Sequence, residues 1–185
     1  MISQIEKYVQ DTCKKDSNIY GYSAWSHHIE SVVKFALILA DKLEADKEIL
    51  EIAALLHDIG SVTNKDWYEE HHIHGARIAQ EILEKYSYPE EKIKSVKECI
   101  IAHRGSRDIK RLSLEAQILA SADAMSHFEN VDSLMHLAYA VHKLEVDEGR
   151  EFVLGKLARS WKKLMPEAKD ILYDKYEAIK KTFTN

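Results

Sequence analysis

Apolar residues recur along this chain at spacings of three and four, and the alternation expected of strands is absent. Ile5 and Val9 mark the inner side of a first helix over residues 2–15, and residues 18–21 read as a turn. A second helix over residues 24–43 carries Val32, Phe35, Leu39 and Leu43 on one face. Asp46 is placed to cap a third helix, which runs through Ile52-Ala53-Ala54-Leu55-Leu56 into His57-Asp58-Ile59-Gly60. The polar stretch 61–67 reads as a loop, and a fourth helix covers residues 70–86. Pro89 suits the start of a fifth helix ending near His103, residues 105–111 form a loop, and Ser113 caps a sixth helix reaching about Asn130. Two or three more helices fill residues 132–183, with Pro166 breaking or restarting the last. The pattern predicts an all-α, single-domain helical bundle of seven to nine helices.

Composition agrees with that pattern. Six Gly and two Pro in 185 residues, with 45% hydrophobic and 31% charged residues, suit a helical globular chain with one core. A formal charge of −5 gives no global attraction to nucleic acid or an acidic membrane, which leaves a small molecule as the expected partner and only a local basic patch as an exception. A homo-oligomer is compatible with the sequence. Cys13 and Cys99 lack metal-type spacing and read as reduced packing residues. The first residues lack the apolar stretch of a signal peptide, and no apolar run is long enough to span a bilayer, so a cytoplasmic protein is expected.

Several ionisable residues fall on faces that should be buried. His28 continues the stripe of Val32, Phe35 and Leu39, which turns His27 outward. His74 leads to Ile78 and Ile82, and Ile93, Val96 and Ile100 lead to His103. Asp123 stands among Leu119, Ala120, Ala122, Ala124 and Met125, and the pair His57-Asp58 ends an apolar run. His71 and His72 follow Glu69 and Glu70 and read as solvated. Read alone, each inward residue suits a hydrogen-bonded core position, and His57 with Gly60 suits a helix C-terminus with a left-handed glycine cap. Together, four inward histidines and two aspartates are costly to bury without a cation, and a divalent metal between helices explains them jointly. Imidazole and carboxylate donors do not select among Mn, Fe, Co, Ni, Zn and Mg.

The order His28, His57-Asp58, Asp123 resembles the H…HD…D signature of the HD-domain superfamily of metal-dependent phosphohydrolases, with Ile59-Gly60 matching its HDIG variant. WSHHIESV, AALLHDIG and ILASADAM carry the likeness, which covers about residues 20–134; residues 135–185 would pack on that core, with Trp161, Leu164, Leu172 and Tyr176 as packing residues. The resemblance implies His28, His57, Asp58 and Asp123 as ligands of one metal. It further implies His74 and His103 as ligands of a second, with Asp58 as the bridge and His57 and Asp58 as the catalytic pair.

Such a centre would activate water to cleave a phosphomonoester or phosphodiester bond of a nucleotide or another small phosphorylated metabolite. Arg104 and Arg107, with Lys110 and Arg111 in the same loop, and Lys65 after the HDIG sequence, are candidates for holding the phosphate. Many HDIG proteins carry Lys directly after the Gly, where this chain has Ser61. Trp67 and Tyr68 are candidates for stacking on a base. The same ligand order also resembles HD-domain mixed-valent diiron oxygenases, and a non-catalytic nucleotide-binding HD module is a third alternative.

Overall fold

In the computed structural model, which describes residues 1–104 and 109–183, the helical period is realised throughout, with no strand among the described residues. The order is α1 (Ile2–Cys13), a π turn (Trp25–Ile29) running into α2 (Glu30–Leu43), α3 (Lys47–Leu56), α4 (Ile59–Thr63) and a 3-10 turn (Lys65–Glu70). Then follow α5 (His71–Lys85), α6 (Glu90–Ala102), α7 (Leu114–Glu129), α8 (Val131–His136) with a second π turn (Leu137–Val141), α9 (Val146–Lys163) and α10 (Pro166–Phe183).

Local chemistry sets the boundaries. The Asp46 carboxylate accepts a hydrogen bond from the Ile49 N–H at 3.1 Å, and the Ser113 hydroxyl accepts one from Ala116 at 3.2 Å. The helix α7 is buried on nearly every side from Ile118 to Phe128, so it is the central post of the bundle. Against it pack α2, α3 and α6 on one side and α9 and α10 on the other. Trp161 of α9 stacks on Tyr176 of α10 with ring centres 3.8 Å apart, and both meet Phe128 of α7 edge-on. Cys13 and Cys99 are free and buried.

The segment expected as a polar loop over residues 61–67 is helical instead, because Ile59, Gly60, Ser61 and Val62 are buried and the chain turns immediately after Asp58. Asp58 itself takes φ −106° and ψ 9°, the sparsely populated bridge region in which active-site residues recur. Gly60 is not a left-handed cap; among the described glycines only Gly21 has positive φ. Its function is close approach. A Cβ on Gly60 would lie 2.4 Å from the His71 carbonyl oxygen, and one on Gly75 would lie 3.3 Å from the His57 carbonyl oxygen. These two glycines let the start of α5 sit directly on the His57-Asp58 corner.

Gly60→Ala is therefore expected to push α5 away from that corner and to cost about 1–3 kcal/mol of stability, the range for overpacking. Denaturant unfolding of the variant beside the parent checks this. A Gly60→Ala protein as stable as the parent would mean that α4 and α5 can separate freely.

Candidate metal centre

Four helices and the His57-Asp58 corner bring their polar side chains to one point. His28 comes from the π turn before α2, His57 from the end of α3, His71 from the first position of α5, and His103 from the residue after α6. Asp123 comes from the middle of α7.

Each imidazole is oriented through its far nitrogen. The Nδ1–H of His57 donates to the Ala54 carbonyl at 2.7 Å, that of His71 to Tyr68 at 2.7 Å, and that of His103 to Ile100 at 2.5 Å. The Ser126 hydroxyl donates to the Asp123 carbonyl at 2.7 Å, so it accepts from His28 Nδ1–H at 2.8 Å. A carbonyl can only accept, and Ser126 has one proton to give, so all four rings carry their proton on Nδ1. All four Nε2 lone pairs are thereby turned toward the centre.

Those lone pairs face the two oxygens of one carboxylate. Asp58 Oδ2 lies 3.3 Å from His28 Nε2 and 3.5 Å from His57 Nε2, and Asp123 Oδ1 lies 3.5 Å from His28 Nε2. Asp58 Oδ1 lies 3.4 Å from His71 Nε2 and 3.7 Å from His103 Nε2. The two nitrogens within each histidine pair are 3.1 Å apart (His28 and His57) and 3.2 Å apart (His71 and His103). Two lone pairs at that distance repel unless a cation lies between them. Ligand atoms about 2.0–2.2 Å from a common divalent ion would be about 3.0–3.5 Å apart, so the edges match a coordination shell. The side chains close enough to share a cation form three overlapping groups: His28, His57 and Asp58; His28, Asp123 and His127; and Asp58, His71 and His103. With Asp123 Oδ1 reaching His28, this donor set could hold one ion on the His28 and His57 side of Asp58 and a second on its His71 and His103 side.

Burial opposes ionisation of Asp58, and wherever one of the facing rings, His57 first and then His103 or His28, takes up a proton, that proton holds the carboxyl well below the usual carboxylate range. Asp123 is held low in the same way: burial opposes it, and Lys163, His127 and His28 outweigh burial. Burial lowers His57 to about 4 and also lowers His71, which keeps both rings neutral and able to ligate.

The placement of the sequence-predicted residues is selective. His28, His57, Asp58, His103 and Asp123 converge, whereas His74 does not: its ring stacks on Trp67 with centres 4.2 Å apart. His71 takes the position expected of His74 and is not solvated, its side chain being 12% exposed. The buried residues of α5 are His72, Gly75, Ala76, Ile78, Ala79 and Leu83. Ile78 is buried as expected, but Gly75, Ala76 and Ala79 shift the buried face toward His71 and His72 and away from His74, which lies about 60° around the helix from His71. Glu69 and Glu70 sit in the preceding 3-10 turn and do not bring solvent to α5.

A cavity of about 310 Å³ opens over the centre, lined by His28, Asp58, His71, His103 and Asp123 and by residues of the C-terminal third. Arg104 lines it and pairs with Glu69 at 2.6 Å, and Tyr68 lines it with half its surface exposed. Lys65 is exposed and outside the cavity, Trp67 is occupied by His74, and Arg107 lies outside the described residues. The C-terminal third supplies more than packing. Lys163 pairs with Asp123 Oδ2 at 2.5 Å, the Ser160 hydroxyl meets His127 Nδ1 at 2.9 Å, and Ser121 accepts from the Met165 N–H at 3.1 Å. Lys156, Arg159 and Lys163 all line the cavity. Their spacing of three and four on α9 is a signal present in the sequence.

A family model described as the HD domain matches residues 25–127. A protein described as uncharacterized from Clostridium beijerinckii is 35% identical over 101 residues, 54% of this chain and 62% of its own length. Ribonuclease Y from Enterococcus faecalis is 34% identical over 107 residues, 58% of this chain. The chain spans only 18% of that ribonuclease, and less than two thirds of the Clostridium beijerinckii relative. The crystal structure of Bacillus subtilis YpgQ in complex with ADP has a TM-score of 0.50 over 94% of this chain and 97% of that one, at 17% identity, which is a likeness of fold.

The placement of His71 predicts that His71→Ala reduces bound manganese from two equivalents to one, while His74→Ala leaves two. Metal analysis after dialysis against dilute manganese reads this directly. Loss of an ion in the His74 variant but not in the His71 variant would reverse the assignment.

Proposed function

The chain belongs to the HD-domain family, and on that footing we propose that it is a metal-dependent phosphohydrolase cleaving a phosphomonoester or phosphodiester bond of a nucleotide or another small phosphorylated metabolite. The observation that carries the reading is the common orientation of four neutral imidazoles toward the two oxygens of Asp58. Divalent ions held there would lower the pKa of water from about 15.7 toward 7 and neutralise phosphoryl oxygens.

The chain's own groups do the rest. Asp58 presents one oxygen to each histidine pair and so sets the separation of the two positions. His57 is fully buried and fixed by Ala54, so it has no freedom to turn away. Lys163 occupies Oδ2 of Asp123 and leaves Oδ1 directed at the centre. Arg104, paired with Glu69, is the sequence-predicted phosphate-binding cation that lines the cavity among the described residues.

A cavity of about 310 Å³ and a net charge of −5 favour a small substrate over a nucleic-acid duplex or long strand. The YpgQ crystal holds ADP, a phosphorylated nucleotide, and the Enterococcus relative is named a ribonuclease, which acts on phosphodiesters; both support the class.

The test is product analysis with manganese-loaded protein and a panel of nucleoside mono-, di- and triphosphates, dinucleotides and sugar phosphates, with Asp58→Asn as control. Hydrolysis of at least one substrate, lost in the variant while its melting temperature stays near the parent's, is the expected result. Absence of hydrolysis from the whole panel, with oxygen consumption by the iron-loaded protein, would replace this reading with the oxygenase alternative.

A further inference from the structure

The face of α9 that lines the cavity lies outside residues 25–127 and outside the metal centre, yet it is the most cationic wall of the cavity. Lys163, Arg159 and Lys156 occupy successive turns of one helix face. At a rise of about 1.5 Å per residue, Lys156 lies about 10 Å along the axis from Lys163. Lys163 is matched by Asp123 and Ser160 by His127. Neither Lys156 nor Arg159 forms an ion pair among the described residues. Lys156 is half-buried and lines the cavity beside His28, Asp123 and His127. Phe152, one turn before Lys156, lines the cavity with Leu134, Leu137 and Val141 and gives it an apolar flank.

A half-buried Lys156 and an exposed Arg159, both lining the cavity and neither ion-paired, make its α9 wall a place for an anion, and the metal ligands already account for one phosphoryl group. We propose that Lys156 and Arg159 bind a second phosphoryl group of the substrate, so that the preferred class is a nucleoside di- or triphosphate, or a comparable polyphosphate ester, over a phosphomonoester. The apolar flank takes its organic part. The proposal rests on the phosphohydrolase reading for the position of the first phosphoryl group.

The test is calorimetric titration of manganese-loaded protein with a methylene-bridged, non-hydrolysable adenosine triphosphate and, separately, with adenosine monophosphate. The parent is expected to bind the triphosphate analogue more tightly, and added salt should narrow the difference. In Lys156→Gln/Arg159→Gln the triphosphate affinity should fall about 100-fold, about tenfold for each cation, with a much smaller change for the monophosphate. Lys156→Arg should retain most of the preference, which separates charge from fold, and melting temperatures of all variants complete the control.

Equal affinity of the parent for both ligands, or an equal loss for both in the double variant, overturns the proposal. Because titration needs no turnover, the two readings fail separately. A preference that depends on α9 in a protein that hydrolyses nothing refutes the catalytic reading alone. Hydrolysis with a double variant indistinguishable from the parent refutes this inference alone.

Discussion

The carboxylate of Asp58 is the constraint on which the centre of this molecule depends. Its two oxygens face two pairs of neutral imidazoles inside a helical bundle, where an unpaired charge is costly. Lys163, the ammonium in contact with these carboxylates, is committed to Asp123. Four lone pairs are aimed inward beside the two carboxylates, a donor set that could hold a divalent cation. The backbone carbonyls of Ala54, Tyr68 and Ile100 contribute from behind, each fixing the tautomer of one ring.

That geometry requires helices closer than side chains usually allow. Gly60 and Gly75 remove the atoms that would otherwise separate α4, α5 and the end of α3. Their absence of side chains brings His71 within reach of Asp58 from the first position of α5, directly after the exposed Glu69 and Glu70. The π turn at Trp25–Ile29 has a comparable effect on the other side, directing His28 inward and leaving His27 outside.

The C-terminal helices connect to this centre through polar contacts as well as through the Trp161, Tyr176 and Phe128 cluster. Along α7, residues 121, 123 and 127 meet Met165, Lys163 and Ser160 in antiparallel order. A candidate metal ligand, a buried histidine and a cavity wall are thus tied to one helix. α9 therefore influences both the position of Asp123 and the charge that a substrate encounters.

The helical class, the caps at Asp46 and Ser113, and the inward facing of His28, His57, Asp58, His103 and Asp123 were legible in the sequence. Each depends on local chemistry or on a stripe of large apolar residues, and both are written in order along the chain. The convergence of His71 rather than His74 was not legible, because half of the buried residues of α5 are Gly75, Ala76 and Ala79, whose burial is decided by what packs on them. The short helix α4 was not legible either, since Ser61 and Thr63 look like loop residues until α5 covers them. The spacing of Lys156, Arg159 and Lys163 is written in the sequence, but its meaning was not legible, because a polar side of a helix looks identical whether it meets bulk water or a cavity. The sequence by itself determined which residues had to be buried and which of them carried lone pairs. Only the tertiary structure decided which of them meet, because that depends on the distance between helices and on which helix forms the opposite wall.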